Sequence, residues 1–299
     1  MQYYNNSTII YLDGEYIHAA GAHGDLYSQS LHYGYAVFEG IRAYKTESGE
    51  ARIFKADEHF QRMQRSCELV HIPYNYDNQE LINVCYELLD RNNMKDAYIR
   101  PLVYCGPNMG LTATDETHLM ICTWQWPALL GEKLIRVRTS SYQRPNPKAF
   151  LMEAKVSGHY VNSIMAAREA RSLGFDEALL LDGNGNVAEG PGANVFYEIN
   201  GRLFTPPLGN ILPGITRATV LEICDELQIG VEEKFFTTEE MKGADAAFFC
   251  GTAAEVIGWE SLDNVGFTKP WKTTLSKLVQ DAYRARVTEK KNTLSPALA

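Results

Sequence analysis

No run of 18 consecutive apolar residues occurs in the 299-residue chain, so a membrane-spanning helix is not expected. No Cys-x-x-Cys spacing occurs among the six cysteines (Cys67, Cys85, Cys105, Cys122, Cys224 and Cys250), which removes the usual signature of a zinc site or a redox dithiol. A basic excess is missing too. The 37 Asp and Glu against 28 Lys and Arg leave a net charge of −9, the wrong sign for a nucleic-acid or anionic-membrane partner. The opening residues, Met1-Gln2-Tyr3-Tyr4-Asn5-Asn6, have neither the basic start nor the apolar stretch of a secretory leader. Internal repeats, low-complexity tracts and long charge runs are absent. The expectation is a cytoplasmic protein with reduced thiols, in which an anionic small molecule must be met by individually placed arginines.

What is present is an ordinary globular composition, 45% apolar and 22% charged, at a length that suits one large domain or two of moderate size. Strands are expected over residues 7–17 with a turn at Asp13-Gly14, from Tyr35 to Tyr44 returning through 51–54, and over 97–105 and 118–124. Between them, Asp57 reads as the N-cap of a helix carrying Phe60, Met63 and Cys67. Leu81, Ile82, Cys85, Leu88 and Leu89 stripe a second helix over 79–91. Residues 125–133 contain proline and glycine and break both periodicities, so they read as a linker. The fold class expected is α+β, with a small N-terminal domain over 1–124 and a larger, strand-rich domain over 134–299. In the latter, a helix from about 160 to 173 is expected to turn Val161, Ile164 and Met165 inward and to end at Gly174. Strands over 135–139, 178–181 and 187–189, hairpins at 182–185 and Asn200-Gly201, a strand over 245–250 and helices over about 216–228 and 272–288 complete it.

Several residues carry chemistry. Lys155 sits among apolar and small neighbours in Phe150-Leu151-Met152-Glu153-Ala154-Lys155-Val156-Ser157-Gly158, a setting in which an amine can lose its proton and attack an aldehyde. Taken alone the signal is weak, since most lysines are solvated surface charges. Glu189 closes a strand before Gly190-Pro191-Gly192, where glycines permit close backbone approach to a flat ring; a solvated loop carboxylate is the plain alternative. Gly214-Ile215-Thr216 opens a helix, and free amides there can bind phosphate, although Thr216 as a simple N-cap fits as well. Arg62 can add a bidentate contact. Tyr98 and Arg100 share one face of a strand and suit a substrate carboxylate, or a purely structural packing of arginine on tyrosine. Lysine, carboxylate and phosphate cradle together are what pyridoxal 5'-phosphate (PLP) requires of a protein.

In order along the chain, His32-Tyr33-Gly34, Val37-Phe38-Glu39-Gly40-Ile41-Arg42, Glu58-His59-Phe60-Gln61-Arg62, Tyr98-Ile99-Arg100-Pro101, Ala154-Lys155-Val156, Glu189-Gly190, Leu212-Pro213-Gly214-Ile215-Thr216-Arg217 and Gly251-Thr252-Ala253-Ala254-Glu255 resemble the motifs of branched-chain amino acid aminotransferases, within the fold-type IV PLP enzymes. The resemblance runs over roughly residues 8 to 285. It implies that Lys155 is the Schiff-base residue and shuttles the Cα proton, that Glu189 pairs with the pyridine nitrogen, and that Tyr160 meets the cofactor's phenolate oxygen. It further implies that Arg62, Ile215, Thr216 and Thr252 hold the phosphate, and that Tyr33, Phe38, Tyr98, Arg100 and Ala253 shape the substrate pocket. The implied reaction is transamination between branched-chain L-amino acids (Leu, Ile, Val) and 2-oxoglutarate. The implied assembly is a homodimer or larger, with Tyr33 and the Met109–Leu111 loop reaching a neighbouring subunit. One departure is visible: many bacterial members carry, after Trp126, a tyrosine that helps receive the acceptor's side-chain carboxylate, and here the residue is Leu129. A D-amino-acid or (R)-amine transaminase, the aminodeoxychorismate lyase reaction, and a catalytically silent binder of amino acids or cofactor are the rival readings.

Overall fold

The computed structural model describes residues 3–126, 130 and 133–289. Leu129 and most of the expected linker fall outside them. The chain forms two compact units, Met1–Pro127 with Ala154–His159, and Ala128–Glu153 with Tyr160–Ala299.

The first unit holds strands β1 (Ile9–Leu12), β2 (Glu15–His18), β3 (Ala36–Phe38), β4 (Ile41–Lys45), β5 (Ala51–Ile53), β6 (Ala97–Cys105) and β7 (Thr117–Trp124), with helices α1 (Gln29–Tyr33), α2 (Ala56–Leu69) and α3 (Asn78–Arg91). They make one seven-stranded sheet in the order β2-β1-β7-β6-β4-β5, with β3 also paired to β6. Every pairing in it is antiparallel. Alternation along β6 sends Ile99, Val103 and Cys105 into a core with Phe60, Met63 and Leu88 of the two long helices. Tyr98 and Arg100 take the opposite face.

Two expectations shift here. The strand expected from Tyr35 to Tyr44 is broken into β3 and β4, because Glu39 between them is fully buried and bonded to side chains of α2. Asp57 lies in the first turn of α2, where a carboxylate suits the helix dipole, while Lys55 occupies the cap in the left-handed region at φ 49°.

Residues 154–159 join this first unit, although the sequence reading placed Lys155 with the C-terminal half. The reason is backbone pairing. Val156 bridges Val37, Phe38 N–H donates to the Lys155 carbonyl at 3.2 Å, and Gly158 N–H donates to the Gly34 carbonyl at 3.0 Å. Gly34 sits at φ +67°, and a Cβ there would lie 2.7 Å from the Gly158 Cα.

The second unit holds β8 (Ile135–Gln143), β9 (Glu177–Leu181), β10 (Val187–Glu189), β11 (Asn194–Ile199), β12 (Arg202–Thr205), β13 (Val231–Glu233), β14 (Ala246–Gly251), β15 (Glu255–Leu262) and β16 (Val265–Gly266), with α4 (Tyr160–Ser172), α5 (Ile215–Glu226), α6 (Thr238–Lys242) and α7 (Leu275–Thr288). Its nine-stranded sheet runs β10-β9-β8-β15-β14-β11-β12-β13, with β16 on β15 and β10 also on β11. The β8–β9, β8–β15 and β12–β13 pairs are parallel. β13, β15, β16 and the short helices α1 and α6 had not been expected. The facing of α4 corrects the sequence reading: Val161, Ile164 and Met165 are exposed, and the buried residues are Ser163, Ala166 and Ala170. Small side chains let α4 settle close onto Ala178 and Leu180 of β9, which leaves the bulky apolar residues outside. No described helix is long and apolar enough to cross a membrane.

Gly34→Ala should lower stability by about 2–4 kcal/mol, since it adds a left-handed backbone penalty to a steric clash. Gly14, at φ +98° with nothing near a Cβ, is the control; Gly14→Ala should cost only about 1–2 kcal/mol. Urea midpoints of both variants check this, and an equal or larger loss for Gly14→Ala would contradict it.

Candidate active site

In the first unit the ends of β3, β6 and α2 converge on the Lys155 segment. Besides the bond at its carbonyl, Lys155 donates its backbone N–H to Ser66 Oγ at 3.1 Å. Its Nζ stands 5.0 Å from the centre of the Phe38 ring. The Arg100 guanidinium stands 4.5 Å from the same ring centre, 5.3 Å from that of Tyr98 and 5.7 Å from that of Trp124. Arg100 Nη2 donates to the Tyr98 hydroxyl at 3.4 Å, while its buried Nε has no hydrogen-bond partner among the described residues. Gly40 makes room for this arrangement, because a Cβ there would lie 1.9 Å from the Tyr98 hydroxyl. Lys155, Phe38, Tyr98 and Arg100 are therefore brought together, an amine and a cation around an aromatic wall.

Arg62 is held from behind. Its Nε and Nη2 donate to the two oxygens of Glu39 at 2.7 and 2.9 Å, and His59 Nδ1 lies 2.7 Å from Glu39 Oε2. Burial alone would raise the Glu39 pKa, but Arg62 and His59 outweigh it and hold the carboxyl well below the usual carboxylate range. Burial pushes the His59 pKa down, Glu39 opposes this, and Arg62 and Lys155 press it further down. The net effect is a neutral imidazole that donates from Nδ1.

Tyr33 is placed differently. It closes α1, is 47% exposed, and donates its hydroxyl to the Met109 carbonyl at 3.0 Å. No described contact brings it to Phe38 or Arg100. Met109 and Leu111 beside it are exposed as well.

In the second unit Glu189 is the buried centre. One oxygen lies 2.8 Å from Arg144 Nη2, the other accepts from Asn194 Nδ2 at 3.0 Å, and both are 3.3 Å from Leu212 N–H. Asn194 faces Glu189 across the β10–β11 pair and also donates to the Leu212 carbonyl at 3.0 Å, tying the strand ends to the loop before α5. Gly214 is the N-cap of α5, and no side chain caps the amides of that first turn. Ile215 and Thr216 are its first two residues, so Thr216 is not the cap. Arg217 is buried and donates to the Pro206 carbonyl and to Glu233. Thr252 and Ala253, both half-buried, form the turn between β14 and β15. Beside them a Cβ on Gly251 would lie 3.0 Å from the Gly192 carbonyl. Tyr160 opens α4, half-buried.

Sequence reading had missed Arg144 and Asn194, the partners of Glu189, and the roles of Glu39, His59 and Ser66. Glu39 carried a readable signal, an acid inside the apolar run Ala36-Val37-Phe38-Glu39-Gly40-Ile41. Arg144 and Asn194 carried none, being ordinary polar residues of loop-rich stretches.

The donor set fits a phosphorylated pyridine aldehyde. The first unit offers a lysine beside an aromatic ring; the second offers a buried carboxylate bonded to an arginine and an uncapped turn of α5 whose Gly214 Cβ would collide with Asn194 Oδ1 at 2.0 Å. Among the described residues no cluster could hold a metal ion. Known proteins agree on the class. Residues 36–262 match the family model described as Amino-transferase class IV, and the chain belongs to this family. The branched-chain-amino-acid aminotransferase of Pseudomonas aeruginosa is 38% identical over 281 residues, 92% of this chain and 91% of that protein. Among solved structures, the branched-chain aminotransferase of Thermoproteus uzoniensis with norvaline superposes with a TM-score of 0.91 at 36% identity, covering 96% of each chain. The branched-chain amino acid aminotransferase of Thermobaculum terrenum, in its PLP-bound holo form, gives 0.88 at 31% identity, covering 96% of this chain and 95% of that one.

If Glu39 is anionic when folded, acid should expose it. As pH falls through about 4.5, its ordinary value, the unfolded chain takes up a proton that the folded chain refuses. The stabilisation present above that pH is then lost, at up to about 1.4 kcal/mol per pH unit. Glu39→Gln removes this component. The gap in unfolding free energy between parent and variant should therefore narrow from pH 6 to pH 3, measured by urea titration. A gap constant across that range would contradict the charge state.

Proposed function

We propose that the protein is a PLP-dependent transaminase that moves the amino group between branched-chain L-amino acids and 2-oxoglutarate. The reading is carried by one observation: the Lys155 amine and the Arg100 cation stand 5.0 and 4.5 Å from the centre of the Phe38 ring, in a chain 38% identical to a branched-chain-amino-acid aminotransferase. An amine for Cα chemistry, a cation for a carboxylate and an apolar wall for an aliphatic side chain are what one pocket needs to serve both leucine and glutamate.

PLP, when bound, supplies an aldehyde for the amino group and a ring that accepts the electron pair released at Cα. Lys155 Nζ carries the cofactor and takes the substrate's Cα proton, with its backbone fixed on both sides by Ser66 and Phe38. Glu189 holds a proton on the pyridine nitrogen. Arg144, Asn194 and the Leu212 amide all donate to it, and each such bond favours the ionised carboxylate. Arg62, the first amides of α5 at Ile215 and Thr216, and Thr252 hold the phosphate, and Tyr160 meets the phenolate oxygen. Arg100 receives a carboxylate while Phe38, Tyr98 and Ala253 bound the side chain.

The outward Tyr33, Met109 and Leu111, together with the exposed Val161, Ile164 and Met165, support assembly as a homodimer or larger, with Tyr33 completing a neighbour's site. Exposed apolar residues grouped on one element, as Val161, Ile164 and Met165 are on α4, mark surfaces that associate. Six free cysteines support a cytoplasmic setting.

Rapid-mixing spectra of the cofactor-loaded protein test the reaction. L-Leucine should convert the cofactor from its aldehyde to its amine form, and 2-oxoglutarate should restore it. D-Alanine and an (R)-amine should react at least about a hundredfold more slowly, equivalent to about 2.7 kcal/mol. Faster conversion by D-alanine or the (R)-amine would replace the assignment with another transaminase of the fold. No conversion by any donor would identify a silent binder.

A further inference from the structure

Glu39 is a fully buried acid on the side of β3 opposite the reacting groups, and nothing in the reaction just described uses it. Neighbouring residues of an extended chain point to opposite faces, so Phe38 stands toward Lys155 while Glu39 turns toward α2. Its carboxylate accepts four hydrogen bonds. Oε1 takes Arg62 Nε, and Oε2 takes Arg62 Nη2, His59 Nδ1 and its neighbour's amide, Gly40 N–H at 3.1 Å. Its own N–H is pinned to the Pro101 carbonyl of β6 at 2.9 Å. Glu39 and His59 are 0% and 2% exposed and Arg62 is 11% exposed, so the acid and the imidazole lie deeper than the guanidinium they hold.

Net stability is a poor reason for such a group, since apolar residues of equal volume commonly serve as well as a buried ion pair. What a bidentate carboxylate gives is direction. It fixes the plane of the guanidinium and removes, before any ligand arrives, the rotamer freedom of a loose arginine. His59 in turn fixes the carboxylate. We propose that Glu39, backed by His59, is a positioning residue that presets Arg62 for the cofactor's phosphate, so that Glu39 governs the affinity for phosphorylated cofactor without touching it. This rests on the reading of Arg62 as a phosphate ligand.

The test compares PLP with pyridoxal, which has the same ring and aldehyde and no phosphate. Dissociation constants for both are measured by absorbance titration of the apoprotein, for the parent, Glu39→Gln, Arg62→Ala and the double variant. Glu39→Gln should weaken PLP about tenfold to thirtyfold, the scale of one charge-assisted contact, and change pyridoxal by less than about threefold. In the double variant Glu39→Gln should add nothing to the loss caused by Arg62→Ala. Equal weakening of PLP and pyridoxal by Glu39→Gln would reduce Glu39 to general structural support and overturn the proposal, as would unchanged or tighter PLP binding. If Arg62→Ala itself fails to separate the two ligands, the phosphate reading of Arg62 falls instead. Should Glu39→Gln not fold, His59→Leu carries the same test at lower amplitude. It should weaken PLP about threefold to tenfold with pyridoxal unchanged, and parallel or absent losses overturn the proposal.

Discussion

The hydrogen bond from the Phe38 amide to the Lys155 carbonyl, flanked by the Val37–Val156 bridge and the Gly158–Gly34 contact, is the constraint from which the first unit's chemistry follows. Through it a lysine far along the chain becomes part of a sheet built by earlier residues. Its amine is thereby set against the Phe38 ring, to which Arg100 also comes from the neighbouring strand. Close backbone approach is the requirement, and Gly34 meets it with a left-handed φ and no side chain.

Each unit also carries, beside its candidate site residues, a buried carboxylate bonded to an arginine. Glu39 has Arg62 and His59, and Glu189 has Arg144 and Asn194. An isolated buried carboxylate would take up a proton. A guanidinium and directed N–H donors reverse that preference, and they fix orientation along with charge. Glu39 and Glu189 are thus both held in fixed orientation by the same physical means, a guanidinium together with directed hydrogen bonds.

Much of this was legible in the sequence. The period-two pattern of residues 97–105 placed Tyr98 and Arg100 on one face, and turn residues at 13–14 and 200–201 located hairpins. The ordered motifs pointed to the class that the family match and the solved relatives share. What failed did so for physical reasons. The apolar residues of α4 were read as inward, but packing of the helix onto β9 favours Ser163, Ala166 and Ala170, whose small size permits close approach. The breaking of the first long strand and the anchoring of Arg62 both stem from Glu39, whose burial depends on a helix that no local pattern connects to it. Arg144 reaches Glu189 only through the topology of β8, β9 and β10.

The claim on which the rest depends is that Lys155 is the residue joined to the cofactor. Borohydride reduction of the PLP-loaded protein, followed by proteolysis and mass spectrometry, measures it directly. Reduced cofactor is expected on the peptide that carries Lys155 and on no other, and none in Lys155→Ala protein. Label on a different lysine, or label persisting after Lys155→Ala, would contradict it.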